Sequence, residues 1–349
     1  MQAIHDVAES TQRMIYRVAA QTIVVEAQDT WAAKAIEKLF AGWYLTPGTA
    51  TRHTSLDDAL LSAAIVIGSR VKPPEIPLGW PQFEIAGGGT CFTDGKMSYI
   101  DIEGSIVSIG KSRHAAVEVW TNGMLEIQSP ALTRVVTYAL AAVLRRRGLF
   151  ELHSSAVIDP ESGQGVLIIG PSGSGKSTLT VQLAAADWSF LTDDVLVLGA
   201  QGVEVKAWPL RRCFAITAET FAASNFLQAR ASLNYMQAQP VDKKNDKKQF
   251  VPHRVFNSEF KEQCTPKRLF FSQLSGGERS RVLQLSSAET MARLIRMNPW
   301  SCYDRSTATE HLAVLSALVK QSKGYSLLAG KDLLDTETAA NLISSYTRD

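Results

Sequence analysis

The chain has 349 residues, 45% of them hydrophobic, with Lys+Arg 36 against Asp+Glu 34 for a formal net charge of +2. That length favours two buried cores, because single cores rarely grow past about 250–300 residues. The near-neutral balance leaves no electrostatic footprint for a nucleic acid or an anionic membrane, and Cys91, Cys213, Cys264 and Cys302 lack the paired spacing of a zinc site or a disulfide framework.

The amino-terminal run MQAIHDVAESTQRMIYR has early acids and no apolar core, and no uncharged apolar run approaches the roughly 20 residues of a membrane span. The expectation is a cytoplasmic protein with reduced thiols. Ile15 to Ala27 reads as one strand by its β-branched content, and Trp31 to Trp43 as a helix, with Ala32, Ile36, Leu39 and Phe40 on one face. Ala63 to Gly68 reads as a buried strand, ended by Pro73-Pro74. From Phe83 to Trp120, apolar segments alternate with turn signals (Gly87-Gly88-Gly89, Asp94-Gly95, Glu103-Gly104), which predicts an antiparallel meander. Ser129-Pro130 stands at the N-cap and first position of a helix whose last turn holds Arg145, Arg146 and Arg147, cations that complement the helix dipole before Gly148. The organisation predicted is a smaller α/β domain over residues 1–128, a connecting helix over 129–148 and a catalytic α/β domain over 149–349.

The chemistry concentrates in the third part. Leu149 to Asp159 and Gly165 to Gly170 read as a hairpin that delivers the chain into Gly170-Pro171-Ser172-Gly173-Ser174-Gly175-Lys176-Ser177-Thr178, after which a helix begins. Glycines at a strand-to-helix turn allow successive backbone N–H groups to converge on phosphates at the positive end of the helix. Lys176 supplies a cation for the β- and γ-phosphates and Ser177 a hydroxyl for Mg²⁺, so ATP and Mg²⁺ are the expected cofactors. Asp193 and Asp194 interrupt the apolar run Phe190 to Leu198, and buried acids need a cation, a metal or a proton to manage.

The joint spacing of His153, the phosphate loop and the Asp193-Asp194 pair resembles the catalytic domain of HPr kinase/phosphorylase and its relatives. The resemblance implies an HPr-kinase-like P-loop kinase fold and ATP-dependent phosphorylation of a hydroxyl, foremost a serine of a peptide or small protein, with a free small-molecule alcohol as the alternative. It assigns Lys176 to the phosphates, Ser177 and Asp193 to the metal, Asp194 to the proton of the accepting hydroxyl and His153 to the active site. The chain departs from that family at Thr178, where a Glu is usual, and at Trp208-Pro209-Leu210-Arg211-Arg212, which replaces a glycine-rich signature. Glu219 lies at the distance of the metal-binding Glu of that signature. Arg211, Arg212, Lys248 and Arg254 are the candidate cations for transition-state charge, and Asp242 to Lys248 reads as a charged loop.

Leu274-Ser275-Gly276-Gly277-Glu278-Arg279 matches the signature of ABC transporter ATPases, whose phosphate loops are also similar, and an ABC-like ATPase or nucleotide-dependent scaffold is the second alternative. No Asp-Glu strand follows within twenty residues, so the segment is predicted to be the tip of a hairpin between Lys267–Phe271 and Val282–Leu285, away from the phosphates. Helices are expected over Ser306 to Gln321 and Thr336 to Ser345, with a strand at Tyr325 to Ala329. Self-association is left open.

Overall fold

The computed structural model describes residues 11–43, 45–47, 64–68, 73–85, 88–110, 116–121, 126–127, 129–211, 213–230, 236–237 and 247–348. Ala63, Gly87, Arg212 and residues 242–246, which carry readings above, lie outside them. The chain divides into two compact units, one of Met1–Arg147 with Tyr303–Thr307, the other of Gly148–Cys302 with Ala308–Asp349.

The first unit is built on a nine-stranded sheet of β1 (Gln12–Val18), β2 (Gln21–Ala27), β3 (Thr46–Pro47), β4 (Ala64–Gly68), β5 (Gln82–Glu84), β6 (Thr90–Thr93), β7 (Ser98–Ile102), β8 (Ser105–Ile109) and β9 (Val117–Trp120), in the order β3-β1-β2-β4-β9-β8-β7-β6-β5. The run expected as a single strand over Ile15 to Ala27 is instead the hairpin β1–β2. Its two turn residues, Ala19 and Ala20, both take positive φ, 48° and 63°. That backbone matches the twist of a tight hairpin, and alanine carries none of the Asn-Gly signal that announces one. β2, β4 and β9 run parallel, and β5 to β9 form an antiparallel meander. The helix Thr30–Phe40 starts where Asp29 Oδ1 accepts from the Ala32 N–H at 2.7 Å. The helix Pro130–Arg146 starts on Ser129, whose hydroxyl accepts from the Leu132 N–H. Its last-turn arginines do more than complement a dipole: Arg146 donates to the Ala142 carbonyl, and both Arg145 and Arg146 pair with Asp304. Burial raises the Asp304 pKa, yet the two guanidinium groups hold it below the usual carboxylate range.

The second unit carries the chemistry. Its main sheet contains β10 (Phe150–Ile158), β11 (Gly165–Ile169), β12 (Ser189–Thr192), β13 (Val195–Gln201) and β14 (Glu204–Pro209). A three-stranded sheet follows, of β15 (Phe214–Thr217), β16 (Met236–Gln237) and β17 (Lys247–Phe250). The main sheet is completed by β18 (Pro266–Leu274), β19 (Arg281–Leu285) and β20 (Lys323–Ala329) in the order β14-β13-β10-β11-β18-β20-β19, with β12 also on β10. All five residues of β11 are buried. Val166 and Ile168 face the helices Lys176–Ala185 and Thr336–Ser344, while Leu167 and Ile169 face the helices Ser287–Met297 and Arg305–Gln321. Helices on both faces explain why this strand reads as an unbroken apolar run.

Three expectations are corrected in this unit. The hairpin between the flanks of Ser275–Glu278 does not form: β18 and β19 are strands, but β20, from some forty residues later, lies between them, parallel to β18 and antiparallel to β19. The apolar run Phe190 to Leu198 is broken at Asp193-Asp194 into β12 and β13, both paired with β10. The charged loop over Asp242 to Lys248 ends in structure, because Lys247 and Lys248 belong to β17 and pair with Thr217 and Ile216 of β15.

Candidate functional site

The phosphate loop runs from the end of β11 to the helix Lys176–Ala185. Gly173 and Gly175 take φ of +80° and +88°, in the left-handed region that glycine enters without steric cost. At Gly170 the constraint is space: a Cβ there would meet Ser174 Oγ at 2.5 Å and the Ser272 carbonyl at 2.7 Å. Ser272, near the end of β18, donates its hydroxyl to the Ser174 carbonyl at 2.7 Å, so the neighbouring parallel strand grips the loop. Lys176 is buried, and its Nζ donates to the carbonyls of Gly170 (2.7 Å) and Pro171 (2.9 Å). The cation is thereby held inside the loop that its charge serves. Ser172, Gly173, Gly175, Lys176, Ser177 and Thr178 line a cavity of about 490 Å³, and the Thr178 hydroxyl meets that of Thr220 at 2.9 Å.

The break between β12 and β13 sends the two acids different ways. Asp193 is 1% exposed; its Oδ2 accepts from the Ala215 N–H at 2.9 Å, and its Oδ1 makes no hydrogen bond among the described residues. Burial above all, then the charge of Asp194, pushes its pKa up to about 7, against the pull of the Ala215 N–H, Arg211 and the Ser177 hydroxyl beside it. A buried carboxylate oxygen lacking a donor, next to the Ser177 hydroxyl, is the oxygen chemistry that Mg²⁺ takes. No cluster of three His, Cys, Asp or Glu able to hold a metal occurs among the described residues, so most of the shell of such an ion would be water and phosphate oxygens.

Asp194 turns toward the cavity, which it lines together with His153. His153 sits on β10 opposite Val195, one residue before Ser154, which pairs with Ile169 at the end of β11. Strand pairing therefore places the imidazole next to the start of the phosphate loop. Asp194 Oδ1 lies 3.2 Å from His153 Nδ1, and Asp194 Oδ2 lies 3.3 Å from Arg211 Nη1. Of the four cations expected to meet developing charge, Arg211 stands beside Asp194, while Arg254, in the short helix Pro252–Arg254, is not among the described residues of the cavity wall; Arg212 and the Lys248 side chain lie outside what the structure describes. Glu219 does line the cavity.

The Ser275–Arg279 segment is the largest correction at the site. Leu274, Gly276 and Gly277 line the same cavity as the phosphate loop, so the segment is not remote from that loop. It is laced to the end of β20: Ser275 donates from both its backbone N–H and its hydroxyl to the Ala329 carbonyl, and the Lys331 N–H donates to the Gly277 carbonyl at 3.0 Å. Ser280 bonds Asp332 through its N–H and hydroxyl and accepts from the Gly330 N–H. Lys331 Nζ lies 2.6 Å from Glu278 Oε1. The Ala329–Leu334 wall went unnoticed in the sequence; its only sign there is a Gly-Lys-Asp turn that looks like any strand end.

Among families with a known pattern, the model of the one described as ABC transporter matches residues 156–292, well under half of the chain. The matched span begins in β10 and holds the phosphate loop, the acid pair and the Leu274–Arg279 motif. No curated protein matches the chain. The resemblance to HPr kinase is overturned by this match: the phosphate loop and the Leu274–Arg279 motif, taken together, align with the ABC pattern, and no match to the kinase family accompanies it. The matched segment is thus similar to a P-loop nucleotide-binding ATPase segment, and it lies in a mixed α/β fold. Among the described residues, no helix is long and apolar enough to cross a membrane.

Proposed function

We propose that the chain is a Mg²⁺-dependent nucleoside triphosphatase of ABC-like kind that turns over ATP on its own phosphate loop. The observation that carries the reading is the convergence, on one cavity, of Lys176 and Ser177 with the Asp194 carboxylate. Lys176 and the N–H groups of the loop hold the phosphates, and Mg²⁺, when bound, neutralises charge on the β- and γ-oxygens. Ser177 and Asp193 are the residues that would hold it. Asp194 accepts or orients a proton of the attacking oxygen; His153, 3.2 Å away, fixes the carboxylate's direction, and Arg211 faces the charge that develops. The test is release of inorganic phosphate from ATP by the purified chain with Mg²⁺, compared with Asp194→Asn. Equal release by parent and variant would refute the assignment.

A second reading is favoured by one feature. In this chain the acids do not stand at the end of β18, which closes on Ser272-Gln273-Leu274, but on the opposite side of β11, where Asp194 lines the cavity. An acid there has access to an incoming hydroxyl as well as to water, so the attacking oxygen would belong to a serine of a peptide or small protein, or to a small alcohol, with the unit before Gly148 recognising it. Isotopic phosphate appearing on an acceptor, rather than as free phosphate, would decide for this reading.

A further inference from the structure

The cavity lining is chemically mixed. His153, Asp194, Lys176 and Ser177 bring polar groups to it, and Leu274, Ala329, Leu333 and Leu334, with Lys331 among them in the chain, bring apolar ones. Leu274 is 58% exposed and Leu334 37%, two of the few large exposed apolar side chains among the described residues. Both are fixed to elements that carry the phosphate site. A Cβ built on Gly175 would come within 3.1 Å of Leu274 Cδ2, so this leucine lies against the loop itself. The Leu334 carbonyl accepts from Gln182 Nε2 at 2.6 Å, and Gln182 Oε1 accepts from the Thr336 hydroxyl. Gln182 belongs to the helix that starts at the loop, and it is buried. The volume of about 490 Å³ falls in the range of small-molecule sites and exceeds what a triphosphate chain fills.

We propose that Leu274 and Leu334 form the platform for the nucleoside base of the triphosphate held by Gly173–Ser177 of the same chain. A base has flat apolar faces and polar edges. No Phe, Tyr or Trp is among the described residues lining the cavity, so leucines are the largest apolar groups available to those faces. Covering half-exposed leucines removes apolar surface from water, which stabilises the complex. The motif that begins at Leu274 then acts on the nucleotide of its own chain, through the wall it builds with Ala329–Leu334. This inference rests on the nucleotide-binding reading above.

The experiment compares two probes on the full chain with Mg²⁺ by calorimetry: ATP, and inorganic tripolyphosphate, which carries phosphates and no base. The parent binds both. Leu274→Ala and Leu334→Ala each weaken ATP by about three- to tenfold and leave tripolyphosphate within about twofold. Unchanged ATP affinity in both variants, or equal weakening of both probes, overturns the platform. A parent that binds neither probe would overturn the nucleotide reading itself and this proposal with it, a result distinct from the other two. Melting temperatures check that the variants are folded, and the exposure of Leu274 makes that variant the milder change.

Discussion

Asp193 and Asp194 are consecutive in sequence and stand in opposite environments, Asp193 buried with one oxygen on the Ala215 N–H, Asp194 facing the cavity between His153 and Arg211. The bend between β12 and β13 separates them, and the separation divides their work. A buried acid whose Oδ1 has no hydrogen-bond partner among the described residues suits a cation, while a partly exposed acid with a neighbouring imidazole suits a proton.

The burial of Asp193 has a consequence for stability without any nucleotide. Its folded-state pKa of about 7 stands above the ordinary 3.8, so the folded protein binds this proton more tightly than the unfolded chain does. The protonated carboxyl therefore favours folding below pH about 4, and that contribution is lost as pH rises toward about 7. In metal-free buffer, the melting temperature of Asp193→Asn should vary less over that window than the parent's. Superimposable pH profiles for the two proteins would show that Asp193 is not the group responsible.

The phosphate loop should tolerate little at Gly170. Gly170→Ala places a methyl group against Ser174 Oγ and the Ser272 carbonyl, and the carbonyl is backbone of a buried strand that cannot yield. Nucleotide affinity should fall by about tenfold or more, with β11 and its core still intact. Lys176→Ala should also weaken ATP and slow turnover by about a hundredfold or more. Equilibrium nucleotide binding and phosphate release, measured on both variants, check these outcomes; parental affinity in Gly170→Ala would show that the loop opens when it binds.

Ser275→Ala removes a hydroxyl that donates to the Ala329 carbonyl and accepts from the Gly277 N–H. The hairpin expectation makes this change silent. The cavity wall that the segment actually forms makes it felt: the KM for ATP should rise by about three- to tenfold while the melting temperature moves little, because the site is at the surface. A KM within twofold of the parent would return the segment to a passive role.

The strand, loop and helix around Gly170–Thr178 were legible because the signal is local: a buried run, glycines at fixed offsets and a helix start. The place of His153 was legible for a similar reason, since a short hairpin carries the strand that holds it back along β11. Ala19-Ala20 was not, because alanine at positive φ leaves no compositional mark. Nor was the cavity wall at Ala329–Leu334. It reaches the phosphate loop only because β20 inserts between β18 and β19, and pairing between strands far apart in sequence is not written in the periodicity of either.

The sharpest prediction concerns Asp194 against its two neighbours. A carboxylate that handles the proton of the attacking oxygen is needed for turnover and hardly at all for holding ATP, so Asp194→Asn should lower kcat by about a hundredfold or more with nucleotide affinity nearly intact. His153→Ala leaves the carboxylate in place without the group 3.2 Å away that orients it, and should lose less, about tenfold. Arg211→Ala removes the guanidinium 3.3 Å from Asp194 Oδ2 and should also lower kcat more than it raises the KM, because charge on the transferring group grows in the transition state. If His153 and Arg211 act through Asp194, their effects on kcat should nearly vanish once Asp194 is already Asn, so the double variants should resemble Asp194→Asn alone. Fully additive losses would place the three residues in independent roles, and parental turnover by Asp194→Asn would remove the acid from the chemistry altogether. Phosphate release and nucleotide binding measured side by side on the single and double variants separate these results.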